Sequence, residues 1–254
     1  MAQLNRIVAC VDGSNYDTGV CQHAAWLAGR MNGRILVLHT LDEDARSAVG
    51  GPTPDAILDM AMRELRDQGV EGAETRLATS DLVEAVAESS ADAVVIGKRG
   101  RGSQIAGGRG TGAQVEAMLR GTPLPTCLAS QYFLPIHRAL VLLDAEPDRR
   151  DAVEFVAANE ELRALDIDLV IANGEDEQPR EKLQWARGVL AAEEAQVFAI
   201  QAEGLGETVA RYLESRRLDL LILSRPVLLP PEGEDSRPLE TRGLWAFRAP
   251  VLVC

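Results

Sequence analysis

The sequence predicts an α/β protein built as two tandem open parallel five-stranded sheets with helices on both faces. Three observations predict it. Short apolar runs rich in β-branched residues alternate with helical stretches, and strands joined through helices pair in parallel. The 254 residues suit two domains of about 125 residues each. The order of elements in the first half begins again in the second, at a period of about 125 residues that is too long for a solenoid and right for a duplicated domain.

Arg6 to Val11 reads as the first strand and ends in Asp12-Gly13-Ser14. Ser14 or Asn15 is expected to cap the helix that follows. That helix runs to about Met31, with Val20, Ala24, Leu27, Ala28 and Met31 along one face, and Asn32-Gly33 stops it. Arg34 to Leu41 is the second strand, and Asp42 to Pro54 is loop. A helix from about Asp55 to Gln68, a weaker strand from Ala73 to Ala78 and a helix from Asp81 to Ser89 come next. Ala93 to Ile96 is the fourth strand, Gln114 to Arg120 a helix, and Thr126 to Ala129 the fifth strand.

The first domain is expected over residues 1–130, a linker over 131–136, and the second domain over 137–254. Arg138 to Asp144 (RALVLLD) lies on Arg6 to Asp12 (RIVACVD) with Arg and Asp at both ends. Helices are expected at Asp151–Leu165, Arg180–Ala192 and Gly206–Arg217, and extended segments at Ile167–Asn173 and Gln196–Ala202. Asp219 to Ser224 (DLLILS) matches Asp92 to Gly97 (DAVVIG), and the closing Ala249 to Cys254 matches Leu124 to Leu128.

Composition narrows the function. A hydrophobic share of 46% with 26% charged residues is that of an ordinary soluble globular protein. No apolar run approaches a membrane span, and the opening MAQLNRIVAC lacks the charged end and apolar core of a signal peptide, so a cytoplasmic location and no membrane partner are expected. The net charge of −13 argues against a general nucleic-acid partner, which would demand a basic face. Cys10, Cys21, Cys127 and Cys254 form no metal pattern and read as small core residues. His23, His39 and His137 are scattered, and nothing assigns them a catalytic role.

The chemistry concentrates between Asp92 and Pro125. The strand ends in Gly97, and Gly100, Gly102, Gly107, Gly108, Gly110 and Gly112 follow, with Lys98, Arg99, Arg101 and Arg109 between them. Glycines let backbone N–H groups approach an anion, and a following helix start adds partial positive charge. A phosphate is expected here. The second copy differs at this place: Ser224 to Trp245 keeps only Gly233 and Gly243, and carries Glu232, Glu234 and Asp235. Its site is expected to be lost or changed, with Asp144 reduced to a turn residue.

Two nucleotide signatures are missing: Gly97-Lys98 is followed by Arg99 rather than Ser or Thr, and the first strand leads into VDGSN rather than a dinucleotide fingerprint. If the first and fourth strands flank the point where strand order switches, Asp12 and the glycine loop meet across one crevice.

This arrangement resembles the universal stress protein family over nearly the whole chain, as a tandem pair. Nucleotide-binding members carry Gly, two residues, Gly, nine residues, then Gly-Ser or Gly-Thr after the fourth strand; Gly97, Gly100, Gly110 and Thr111 meet that spacing. Aligning backward from Glu116–Pro125 instead places Gly112-Ala113 at the last position, so both pairs stand as candidates. The resemblance implies strand order 3-2-1-4-5 and a site for ATP, alone or with Mg, built from Asp12 at the adenosine end, Thr40 and Leu41 flanking the adenine, and Gly97, Arg99, Gly100 and the loop's end at the phosphates. It also implies that the two last strands pair, making an internal pseudo-dimer that a further homodimer could extend, and a ligand-controlled role in stress response. Two alternatives stay open: a nucleotide-free interaction module, and a weak ATPase or self-phosphorylating enzyme, for which Asp12, Ser103 and Thr111 are on offer without a recognisable base–nucleophile pair.

Overall fold

A computed structural model describes residues 5–41, 51–100, 113–143, 150–172, 177–191, 196–200, 205–228 and 248–254. The chain divides into two compact units, Met1–Phe133 and Leu134–Cys254.

In the first unit the elements are β1 (Asn5–Cys10), α1 (Asp17–Met31), β2 (Gly33–Thr40), α2 (Pro54–Asp67), β3 (Glu74–Ala78), α3 (Leu82–Ala87), β4 (Ala93–Gly97), α4 (Ala113–Gly121) and β5 (Thr126–Ala129). The strands lie in the order β3-β2-β1-β4-β5, and every pairing among them is parallel. β1, β4 and β5 are apolar because they are covered on both faces: Ile7, Val8, Ala9, Val94, Val95 and Leu128 are all fully buried. Right-handed crossovers carry α1 and α2 to one face and α3 and α4 to the other; α1 packs on α2, and α3 on α4.

Local chemistry sets the helix starts. Thr53 accepts a hydrogen bond from Ala56 N, and Asp81 one from Glu84 N. The start of α1 departs from expectation. Neither Ser14 nor Asn15 caps it; the N-cap is Tyr16, with no side-chain capping bond. Ser14 Oγ accepts from Tyr16 N, and Asp17, inside the first turn, reaches back to the end of β1. Asn32, at φ 49°, closes the helix in the left-handed conformation.

The second unit repeats the plan with β6 (Arg138–Leu143), α5 (Asp151–Ala158), α6 (Glu160–Arg163), β7 (Asp166–Ala172), α7 (Glu177–Leu190), β8 (Val197–Ile200), α8 (Leu205–Leu213), β9 (Leu220–Leu223), a 3-10 turn (Arg225–Val227) and β10 (Val251–Val253). Its strands run β8-β7-β6-β9-β10, again parallel. The helix expected over Asp151–Leu165 is broken. Asn159 sits at φ −115°, ψ 102°, and its Nδ2 donates to Phe155 O, the local side-chain bond by which Asn competes with helix continuation.

Below β6 and β7 lies a buried ionic cluster. Asp168 is 1% exposed; it accepts from Tyr212 Oη at 2.7 Å and lies 3.9 Å from Arg138 Nε and 3.8 Å from Arg216 Nη1. Arg138 also pairs with Asp166. No helix among the described residues is long and apolar enough to cross a membrane.

Candidate functional site

The site is built where β1 and β4, hydrogen-bonded neighbours, end together. Their register pairs Cys10 with Ile96, so Asp12 and Gly97–Gly100 emerge side by side at the carboxyl ends. β1 leads through α1 to β2 on one side of it, and β4 through α4 to β5 on the other, which makes this the switch point where open parallel sheets form crevices.

The β1 end is organised by carboxylates. Asp12 Oδ1 accepts from Ser14 N at 3.1 Å, an Asx turn, and Gly13 takes φ +79°, a conformation that favours glycine. Asp17 Oδ1 accepts from Asp12 N at 3.1 Å, and Asp17 Oδ2 from Gly13 N at 2.8 Å. Burial first, then the Asp12 charge, push the Asp17 carboxyl up to about 7, against the two backbone bonds that pull it down. From the next strand, His39 Nδ1 bonds Val11 O at 2.8 Å and steadies the residue before Asp12.

The β4 end approaches closely. A Cβ on Gly100 would stand 2.7 Å from Asp12 Oδ2, and one on Gly97 would stand 2.8 Å from Tyr16 Cβ. The Tyr16 Cβ cannot swing aside, so Gly97 must be glycine for backbone to pass this near, whereas a side chain at Gly100 would displace the Asp12 carboxylate. Together Asp12, Asp17, Tyr16, Gly97, Arg99 and Gly100 line a cavity of about 20 Å³, to which Gln114 and Val115 of α4 also contribute.

Of the residues predicted from sequence, Asp12, Gly97, Arg99 and Gly100 are thus brought together. Ala113 opens α4, next to Gln114. Thr40 and Leu41 end the neighbouring strand outside the cavity wall, with Thr40 opposite Ala78 and Leu41 N donating to Ala78 O at 2.9 Å. Gly110, Thr111 and Gly112 lie outside the described residues, as do Arg101 and Arg109.

Lys98 corrects the expectation of a cationic loop. It is 3% exposed and absent from the cavity wall; Cys127 and His23 are its electrostatic neighbours. Its backbone N donates to Ala129 O at 3.1 Å and so continues the ladder between β4 and β5. Burial brings its ammonium down to about 8. Sequence reasoning also missed Tyr16, Asp17 and Gln114. Asp17 had a faint signal, an acid in a helix's first turn, which reads by default as a partner of the helix dipole.

The cysteines are core residues as expected: all four are free and buried, and burial pushes the Cys10, Cys21 and Cys127 thiols up to about 12. Among the described residues no cluster of three or more His, Cys, Asp or Glu is gathered to hold a metal.

At the matching corner of the second unit, the described residues show one side-chain contact to the helix start. Ser224 stands where the repeat has Gly97, and its Oγ accepts from Ala152 N, at the start of α5, at 3.3 Å. Arg225 N donates to Cys254 O at 2.7 Å. Asp144 and residues 229–247 lie outside the described residues.

Residues 3–106 match the sequence profile of the universal stress protein family. The match falls within the first unit. A universal stress protein of Synechocystis sp. is 24% identical over 257 residues, covering 87% of this chain and 89% of its own length. Two solved structures share the fold over 98% of this chain. A universal stress protein of Archaeoglobus fulgidus has a TM-score of 0.64 at 15% identity and is covered over 96% of its length. A functionally unknown protein of Pseudomonas aeruginosa has a TM-score of 0.68 at 13% identity and is covered over 92%.

Proposed function

We propose that the first unit binds an adenine nucleotide, ATP in the first instance, over the crevice between β1 and β4, and that binding controls a regulatory role in stress response. The observation that carries the reading is the closure of Gly97–Gly100 onto Asp12, so that a Cβ at Gly100 would stand 2.7 Å from Asp12 Oδ2. Such a turn offers backbone N–H groups to phosphate, with the Arg99 guanidinium beside them. Asp12 and the family's glycine spacing, completed by Gly110-Thr111 or Gly112-Ala113, add support. The cavity admits roughly one water molecule, so it forms the floor of the site, and the bulk of a nucleotide rests above it, toward Thr40 and Leu41. The second unit is a partner without a nucleotide, its helix start already satisfied by Ser224.

The smallness of the cavity favours one rival, a nucleotide-free interaction module. Thermal unfolding with and without ATP separates the two. At a hundred times its dissociation constant a ligand adds about 2.7 kcal/mol of stability, and that gain is expected in the wild type and not in Asp12→Ala or Gly100→Val. Absence of any shift in the wild type at millimolar ATP would sink the nucleotide reading in favour of the module.

A further inference from the structure

Asp17 is the one acid of the crevice that neither the glycine spacing nor the first-strand Asp accounts for. Its two oxygens hold successive amides, Asp12 N at 3.1 Å and Gly13 N at 2.8 Å. Those bonds set the turn from which the Asp12 carboxyl projects. These bonds hold the Asp17 carboxyl beside that of Asp12, whose charge raises it, and two carboxyl groups held this close in a buried place favour one proton between them. Other groups face this pair. Cys10 flanks it from β1, Tyr16 and Cys21 from α1, and Arg99 from the segment after β4, while Glu64 of α2 lies beside Cys21. Among them Arg99 is the cation that lines the cavity.

We propose that Asp17 is a positioning residue of the crevice: it fixes the aim of Asp12, and the proton it shares with Asp12 makes nucleotide binding proton-linked. With one proton in the pair, the crevice presents a single negative charge, which Arg99 offsets. When that proton leaves, a second carboxylate charge faces the incoming anion across a poorly hydrated gap, and affinity falls. The Asp17 carboxyl, raised by burial and by Asp12 to about 7, places this change near neutral pH. The inference rests on the nucleotide reading and adds a regulatory property to it.

The test is ATP affinity measured by calorimetry on the full chain from pH 6 to pH 8, for wild type, Asp17→Asn and Asp17→Ala. ATP's own titration is common to all three and cancels in the ratio of variant to wild type. If binding takes up one proton at Asp17, wild-type affinity falls by up to about tenfold more across this window than that of Asp17→Asn, which keeps an acceptor oxygen and no titrating proton. Asp17→Ala, lacking both backbone bonds, binds weakly at every pH. A pH profile of Asp17→Asn parallel to that of the wild type overturns the proposal and leaves nucleotide binding standing. No binding by the wild type at any pH overturns the nucleotide reading, and this proposal with it. A second readout needs no variant: in carboxyl-carbon NMR of the wild type, the Asp17 midpoint moves upward when ATP is added, and an unmoved midpoint refutes the linkage.

Discussion

At the scale of single residues, burial decides what a polar group does. Lys98 and Arg99 are adjacent in sequence and both cationic in type, yet the Lys98 ammonium is buried beside Cys127 while Arg99 lines the crevice. Asp168 makes the same point in the second unit. It is buried in a place where an unpaired carboxylate would be very costly, and the Tyr212 hydroxyl at 2.7 Å meets part of that cost. Tyr212→Phe removes the donor and keeps the ring, so urea unfolding should show a loss of about 1–3 kcal/mol, the typical cost of leaving a buried charged partner short of a bond. Burial and the Asp168 bond also push the Tyr212 hydroxyl well above its ordinary value, toward the protonated donor, so this stabilisation persists through neutral pH.

At the scale of elements, close approach is bought with glycine wherever two segments meet. Gly121 ends α4, and a Cβ there would stand 2.6 Å from Val83 Cγ1 of α3. Gly121→Ala therefore forces α3 and α4 apart or Val83 off its rotamer, at about 1–3 kcal/mol. Val83→Ala removes the offending methyl, and the double variant should be more stable than the sum of the single losses predicts. Element boundaries were legible where chemistry marks them locally. Asn32-Gly33 stops α1, Asp81 caps α3, and Pro54 falls in the first turn of α2. They were misread where the deciding bond is not local in pattern: Asp17 reaches back over its own helix start, and Asn159 diverts to Phe155 O within a stretch whose apolar spacing continues unbroken.

At the scale of the whole molecule, two units built on one plan differ at the end of the fourth strand. In the first, glycine at the end of β4 keeps backbone close to Asp12. In the second, Ser224 at the matching place bonds Ala152 N, and the acidic, proline-bearing stretch after it has replaced the basic glycine loop. One ATP per chain is the expected calorimetric stoichiometry, and two would show that the second unit has kept a site.

The sequence by itself determined the α/β class and the recurring order of elements, because apolar period, helix stops and repeat spacing are written in neighbouring residues; the strand order was what the family resemblance implied. It also marked Asp12, Gly97, Arg99 and Gly100, since a glycine run after one strand and an acid after another carry meaning without their partner. Only the tertiary structure decided which groups meet. The pairing of Asp12 with Asp17, the turning of Lys98 into the core and the bond of Ser224 to the start of α5 depend on the direction and burial of single side chains. Those are set by packing between segments far apart in the chain, and no local pattern records them.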